Sequence, residues 1–356
     1  MRYHTYMSRP RIIMAGPDLA GLGGISRVVS LWRSGGYFDD NRIDYFASVP
    51  ARGNKVLQLL VSLFRVFLAC FAGCRLVYIH TASYNSFYRK CLFMSVAILF
   101  KRPLIVHIHP SYFSQFLQGL RGIKRRVACA ILSRVRAFVV LTPSIQSDIL
   151  NLFPNTSVYV LSNPIDINGM ANTNGVRRKP NHVLFLGWYM QRKGIYDLVD
   201  ALEMLLNDNV EVSADFFGTK DREELLCYVA DRGLQKAIRI NGWIGEQDKL
   251  EALYSCTMLV LPSHTEGVPN VILEAMATKT PIVSTLVGGL KDVLRDSENA
   301  VTVEPQNAVD LKEKIQTVLQ HPELAERLAE VAYREACEQY DLPIIKERFK
   351  LILDSV

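Results

Sequence analysis

The segment HTEGVPNVILEAMATKTPIV, residues 264–283, sets Glu266 eight positions ahead of Glu274. Glu266 lies among loop formers, Gly267 and Pro269, whereas Glu274 lies inside an apolar helical pattern. The preceding TMLVLP (257–262) reads as a strand, so the order is strand, loop, helix, with Pro269 near the first helical position. The N–H groups around Gly267, Val268 and Asn270 lack partners within such a helix, and the helix dipole adds to their preference for an anion such as phosphate. A carboxylate repels phosphate but accepts hydrogen bonds from two neighbouring hydroxyls. Ribose and hexose both offer such hydroxyls, so the pair suits a nucleotide sugar, with one glutamate on each side of the diphosphate. Taken alone, an E-x7-E spacing more often marks two solvated glutamates on a plain strand–turn–helix. A retaining glycosidase also uses two carboxyls, about 5–5.5 Å apart, and nothing in the spacing fixes that distance.

A second candidate lies in FLGWYMQRKGIYDLVDAL (185–202), again strand, loop and helix. Arg192 and Lys193 fall just before the helix, where adjacent cations neutralise a diphosphate without a metal. His107 and His109 sit in the strand LIVHIH and are expected to point to opposite faces or ends. His107 reads as a core residue and His109, at the carboxyl end of the strand, as a site residue. An H-x-H pair could ligate zinc, but no third ligand lies nearby at suitable spacing, and no D-x-D metal-diphosphate clamp is present. AGPDLAGLGGIS (15–26) invites a dinucleotide fingerprint, but counting from Gly21 the third glycine falls on Ser26. NAD is therefore rejected.

These groups need a scaffold, and the chain supplies one. Six short apolar runs alternate with helix-length segments: RIIMAG (11–16), RIDYFAS (42–48), RLVYIH (75–80), LIVHIH (104–109), AFVVLT (137–142) and SVYVLS (157–162). An Asn, Gly and Pro-rich connection follows at 163–181. The pattern then restarts with HVLFLG (182–187), VEVSADFFG (210–218), AIRING (237–242), TMLVLP (257–262), TPIVS (280–284) and AVTVE (300–304). Strands alternating with helices predict parallel sheets. The fold expected is α/β: two Rossmann-like doubly wound domains, 1–170 and 171–339, facing across a cleft, with a last helix at about 340–356 packing back on the first.

The chain is similar to the retaining glycosyltransferases of family four (glycosyl transferases group 1), which have the GT-B arrangement. The resemblance covers nearly the whole length. It is carried by GGISRVV, IVHIHPSYF, VVLTPS, LSNPID, FLG…RKG, RINGWI…LEALYSCTMLVLPS, EGVPNVILEAMA and VGGLKDVL. It implies that Lys193 binds the donor diphosphate, Glu266 the hydroxyls of the transferred sugar and Glu274 the ribose. It further implies that Gly187 and Gly267, Val268, Pro269 and Asn270 line the donor, that Ile244 sits by the base, and that Gly23 and Gly24 let the first loop come close. The resemblance also implies that His109 faces the donor sugar, and no cofactor or metal is expected. Three positions depart from the pattern. Trp188 stands where an arginine is frequent, with Arg192 a candidate replacement. Lys279 stands where glycine is usual, at a left-handed cap costing about 1 kcal/mol. Asp292 replaces a frequent glutamate.

Charge points to the partner. Residues 1–171 hold 20 Lys and Arg against six Asp, a balance of +14, while the remainder carries −8, in a chain of +6 overall. A basic half suits an anionic membrane face, and the expected acceptor is a lipid-linked glycan of bacterial exopolysaccharide, capsule or lipopolysaccharide assembly. The expected donor is a UDP-sugar, with a GDP-sugar as alternative, and the expected place is the cytoplasmic face of the cell membrane, held peripherally. VLQLLVSLFRVFLACFAGC (56–74) approaches spanning length but is interrupted by Gln58, Ser62 and Arg65, and reads as a crossover helix against a sheet. The first 18 residues show no leader pattern. Seven cysteines without a C-x-x-C pair read as thiols in a reducing compartment. Two rival functions remain: a nucleotide-sugar epimerase on the same fold, and a nucleic-acid-binding protein using the basic half. No aromatic-rich recognition motif supports the latter, and nucleic acid is not an expected partner.

Overall fold

Each of the twelve apolar runs becomes a strand; the central ones are buried on both faces, as strands of parallel sheets covered by helices are, while β2, β6, β8 and β9 towards the sheet edges are partly exposed. A computed structural model describes residues 11–171 and 175–356. Residues 1–10, part of the stretch expected to carry no leader, and 172–174 in the connection fall outside that range. The chain forms two units: residues up to Pro164 together with Ile345–Val356, and Ile165–Ile344.

The first unit runs β1 (Ile12–Gly16), α1 (Gly24–Ser34), α2 (Tyr37–Asn41), β2 (Ile43–Ala47), α3 (Lys55–Phe71), β3 (Leu76–Thr81), α4 (Asn85–Leu99), β4 (Leu104–Ile108), α5 (Phe113–Gly119), α6 (Gly122–Leu132), β5 (Ala137–Val140), α7 (Pro143–Leu152) and β6 (Ser157–Val160). Its sheet is parallel, in the order β2-β1-β3-β4-β5-β6. All residues of β1, β3, β4 and β5 are buried.

The second unit runs β7 (His182–Leu186), α8 (Ile195–Asn207), β8 (Ser213–Phe217), α9 (Arg222–Asp231), β9 (Ile238–Asn241), α10 (Glu246–Ser255), β10 (Met258–Leu261), α11 (Asn270–Ala277), β11 (Ile282–Thr285), β12 (Val301–Val303), α12 (Ala308–Gln320) and α13 (Pro322–Gln339). Its parallel sheet has the order β12-β11-β10-β7-β8-β9, so the direction of winding reverses between β7 and β10. A doubly wound sheet binds ligands beyond the carboxyl ends of the strands at such a reversal. The last helix, α14 (Leu342–Ser355), places Phe349 in the first unit's core, with its ring 4.6 Å from that of Trp32.

The 56–74 stretch forms α3 and links β2 to β3, but it packs the other way round from an ordinary crossover helix. It buries Ser62, Val66 and Cys70 and leaves most of its large apolar side chains exposed. Among the described residues no helix is long and apolar enough to cross a membrane.

Candidate functional site

The winding reversal of the second unit brings two loops side by side: residues 187–194 after β7 and 262–269 after β10. Tyr189 is buried and anchors the first loop, its hydroxyl shared between the carbonyls of Phe216 (2.8 Å) and Asn241 (2.7 Å), either of which can accept its one proton. Gln191–Lys193 form a 3-10 turn that ends at Gly194, with φ of 67°. A Cβ on Gly194 would lie 2.0 Å from the Pro262 carbonyl oxygen, so only glycine lets the loops approach this closely. The His264 N–H donates to the Arg192 carbonyl at 2.9 Å and ties them together.

This contact joins the two sequence candidates. Lys193 Nζ forms an ion pair with Glu266 Oε1, and Ser263 Oγ donates to the same oxygen at 2.6 Å. Thr285 Oγ1 fixes Ser263 through its carbonyl at 2.6 Å, and the Gly289 N–H holds the Glu266 carbonyl at 3.2 Å. Glu266 is 9% exposed. Arg192, next to Lys193 in the first loop, is half-buried. Gly187 precedes the first loop's turn, and Gly267, Val268 and Pro269 lead into α11, which starts at Asn270 with Pro269 as its cap residue.

Glu274 lies inside α11, 1% exposed, with Lys249 Nζ of α10 at 2.7 Å. Lys249 also reaches Glu246 at 3.3 Å. The sequence reading missed Lys249, whose only signal was the need of a buried carboxylate for a counter-charge. Lys220 was also missed. Its ammonium sits 3.8 Å from the centroid of the Trp188 ring, so the position that lacks the frequent arginine still carries a cation. Ile244 is half-buried in the loop after β9. Lys279 follows α11 with φ of 51°, in the left-handed region, and its ammonium pairs with Glu330 at 2.7 Å.

In the first unit Gly23 caps α1 in an extended conformation and Gly24 opens the helix; a Cβ on Gly23 would meet nothing within 4 Å. One expectation is corrected here. His107 and His109 do not point apart: residues two apart on a strand share a face, and their rings stack at 4.2 Å. His80 of β3 joins them. It is paired in register with His107, and its Nδ1 lies 2.9 Å from His109 Nε2. Strand pairing thus supplies the third imidazole that sequence spacing did not reveal, and nitrogens of the three lie within 4.8 Å of one another.

Burial lowers all three basicities. It pushes His80 and His107 well below the ordinary histidine range, helped by neighbouring cations and imidazoles, and His109 down to about 3. The rings are therefore neutral near pH 7, and their hydrogen bonds assign the tautomers. His80 Nε2 faces the Met14 sulfur at 3.4 Å. A thioether has no proton to give, so His80 Nε2 carries the hydrogen and Nδ1 is its acceptor. His109 Nε2 must then donate to His80, which leaves a lone pair on His109 Nδ1. Tyr78 pairs with His107 Nδ1 at 3.0 Å, and His107 Nε2 has no hydrogen-bond partner among the described residues.

Comparison with known proteins follows the same division. Residues 168–335 match the family described as glycosyl transferases group 1. The chain is 25% identical over 256 residues to a glycogen synthase of Mycobacterium tuberculosis, covering 70% of this chain and 62% of that protein. It is 28% identical over 173 residues to the lipopolysaccharide core biosynthesis glycosyltransferase LpsE of Rhizobium meliloti, covering 49% of each. The matched region therefore spans about half to three-fifths of these relatives' length. Among solved structures, Anabaena HepE in complex with UDP-glucose superposes with a TM-score of 0.75 at 18% identity, covering 98% of this chain and 100% of that one, which fixes the fold as GT-B.

Proposed function

We propose, from the match of residues 168–335 to the family described as glycosyl transferases group 1, that the chain is a retaining, metal-independent hexosyltransferase using a nucleotide sugar, with a UDP-sugar favoured. The observation that carries this reading is the Lys193–Glu266 pair held between two abutting loops at the winding reversal of the second unit. A cation and a carboxylate there match the two halves of a sugar diphosphate: charge for the phosphates, acceptors for the hydroxyls. HepE, a protein of the same fold, is described in complex with UDP-glucose.

In the proposed reaction the bond between the anomeric carbon and the diphosphate oxygen breaks, and its electron pair leaves with the diphosphate. Lys193, Arg192, Lys220 and the N–H groups from Gly267 to Asn270 stabilise that charge without a metal. The arriving diphosphate shares the Lys193 ammonium, which frees Glu266 to accept sugar hydroxyls. Lys249 swings off Glu274 to admit the ribose, and Ile244 lies against the base. The acceptor hydroxyl attacks from the face the diphosphate leaves, and its proton passes to a diphosphate oxygen. His109 takes a sugar hydroxyl at its Nδ1 lone pair, with Gly23 and Gly24 giving close approach. The acceptor is a lipid-linked glycan of bacterial surface polysaccharide synthesis, met by the basic first unit at the anionic inner face of the cell membrane. That LpsE acts in lipopolysaccharide core synthesis supports this acceptor class.

Calorimetric titration with UDP, GDP and ADP, without metal, tests the reading. One nucleotide is expected to bind, UDP first. Lys193→Ala should weaken it roughly 10- to 100-fold, the worth of one charge-assisted hydrogen bond. Absence of binding by all three, or equal binding by Lys193→Ala, would refute the assignment.

A further inference from the structure

An ordinary surface helix turns its large apolar side chains to the core; α3 does the opposite. Its inner face is small or polar: Ser62 donates to the Ala47 carbonyl at 2.7 Å, Gln58 donates to the same carbonyl, and Val66 and Cys70 complete the contact. Its outer face carries Leu57, Leu60, Phe64, Leu68 and Phe71 at helical spacing, with Phe64 62% and Phe71 72% exposed. The apolar surface continues past the helix end. The Phe100 ring packs 5.0 Å from Phe67, and the adjacent Leu99 is 69% exposed. α3 packs on α4 and α4 on α6, where Ile123 is 71% exposed.

Charge frames this surface with one sign. From Tyr45 to Ser147 the chain contains no Asp or Glu. Arg65, Lys101, Lys124, Arg125 and Arg126 are all exposed on or beside the three helices. An apolar stripe rimmed by cations, on a segment that itself contains no anions, matches an anionic lipid bilayer, where the stripe enters the acyl boundary and the cations meet headgroups. A second copy of the chain fits worse, because a symmetric contact through these helices would set cation against cation.

We propose that α3 is an interfacial membrane helix whose Leu60–Phe64–Phe71 face inserts into an anionic bilayer, with Arg65, Lys101 after α4 and the basic residues of α6 lying on the headgroups. This rests on the reading that the first unit meets an anionic membrane, and adds insertion to charge attraction.

The test is flotation of the full chain with vesicles of phosphatidylcholine, alone or mixed with phosphatidylglycerol, at physiological salt and at about 0.5 M salt, where the Debye length shrinks to about 4 Å. The wild-type protein should float with the mixed vesicles, and a fraction should stay bound at high salt. Phe64→Ser with Phe71→Ser, at exposed positions that leave the fold intact, should cut the salt-resistant fraction at least about tenfold while nucleotide titration is unchanged. If that variant floats like the wild type and all binding is lost in salt, insertion is refuted and charge attraction survives. If nothing floats under any condition, both readings fall. If light scattering shows a dimer that the variant dissolves, the face belongs to a second copy and the proposal is overturned.

Discussion

Replacing Lys249 with methionine isolates the energetics of the most deeply buried charge in the candidate site. The Glu274 side chain is 2% exposed, and Lys249, 13% exposed, is its counter-charge at 2.7 Å. Lys249→Met keeps the stem length and leaves the carboxylate sealed from water without its ammonium. Breaking a buried pair from one side costs about 3–5 kcal/mol, a large part of the ~5–15 kcal/mol that holds a domain folded. At about 2–4 °C per kcal/mol for a unit of this size, the melting temperature should fall roughly 6–20 °C. Glu274→Gln should cost less, because the ammonium left behind is partly solvated and has Glu246 at 3.3 Å. The double variant should then resemble Glu274→Gln alone, a coupling of about 2 kcal/mol or more. Thermal unfolding followed by calorimetry, with the exposed Lys236→Met as control, reads all four. A Lys249→Met shift within about 2 °C of that control, or a double variant falling by the sum of the singles, would refute this account of the pair.

Three further outcomes are expected. The three buried histidines have folded basicities below the unfolded value of about 6.5, so below that pH the unfolded chain takes up protons that the folded first unit does not. Stability should therefore fall as pH drops from about 6.5, by up to about 1.4 kcal/mol per unit for each histidine, and His109 adds no further slope below about 3. Urea unfolding between pH 7.5 and 5 checks this, and His107→Phe should flatten the slope; a flat profile in the wild type contradicts it. Lys279→Gly should relieve about 1 kcal/mol of left-handed strain, offset in part by the lost Glu330 pair of about 0.2–1 kcal/mol, and in a Glu330→Gln background the full gain should appear as a higher melting temperature. His80→Leu removes the acceptor that holds His109 Nε2–H, so sugar transfer should drop about tenfold or more while UDP affinity stays within about twofold. A parallel loss of UDP affinity would mark His80 as structural only.

The sequence alone determined the strands and their sheet type. Short apolar runs separated by helix-length segments leave a parallel α/β sheet as the stable arrangement. It also determined that Lys193 and Glu266 stand on loops at carboxyl ends of strands, since strand, loop and helix could be read around each. Strand order, and with it the meeting of those loops, belonged to the tertiary structure: β7 and β10 are neighbours although α8, β8, α9, β9 and α10 lie between them. The histidine cluster is of the same kind, because His80 reaches His109 by lateral pairing of β3 with β4. Lys249 and Lys220 became site residues only through contacts of 25 and 32 positions' separation in the chain. The orientation of α3 is the clearest case. An apolar helix of that composition satisfies the periodicity of a core-facing crossover, and only the packing of Ser62 and Cys70 against the sheet decided that Phe64 and Phe71 face outward. Local pattern fixes what an element is, whereas which of its faces is buried depends on the surface it docks against, and that surface is made by residues distant in the chain.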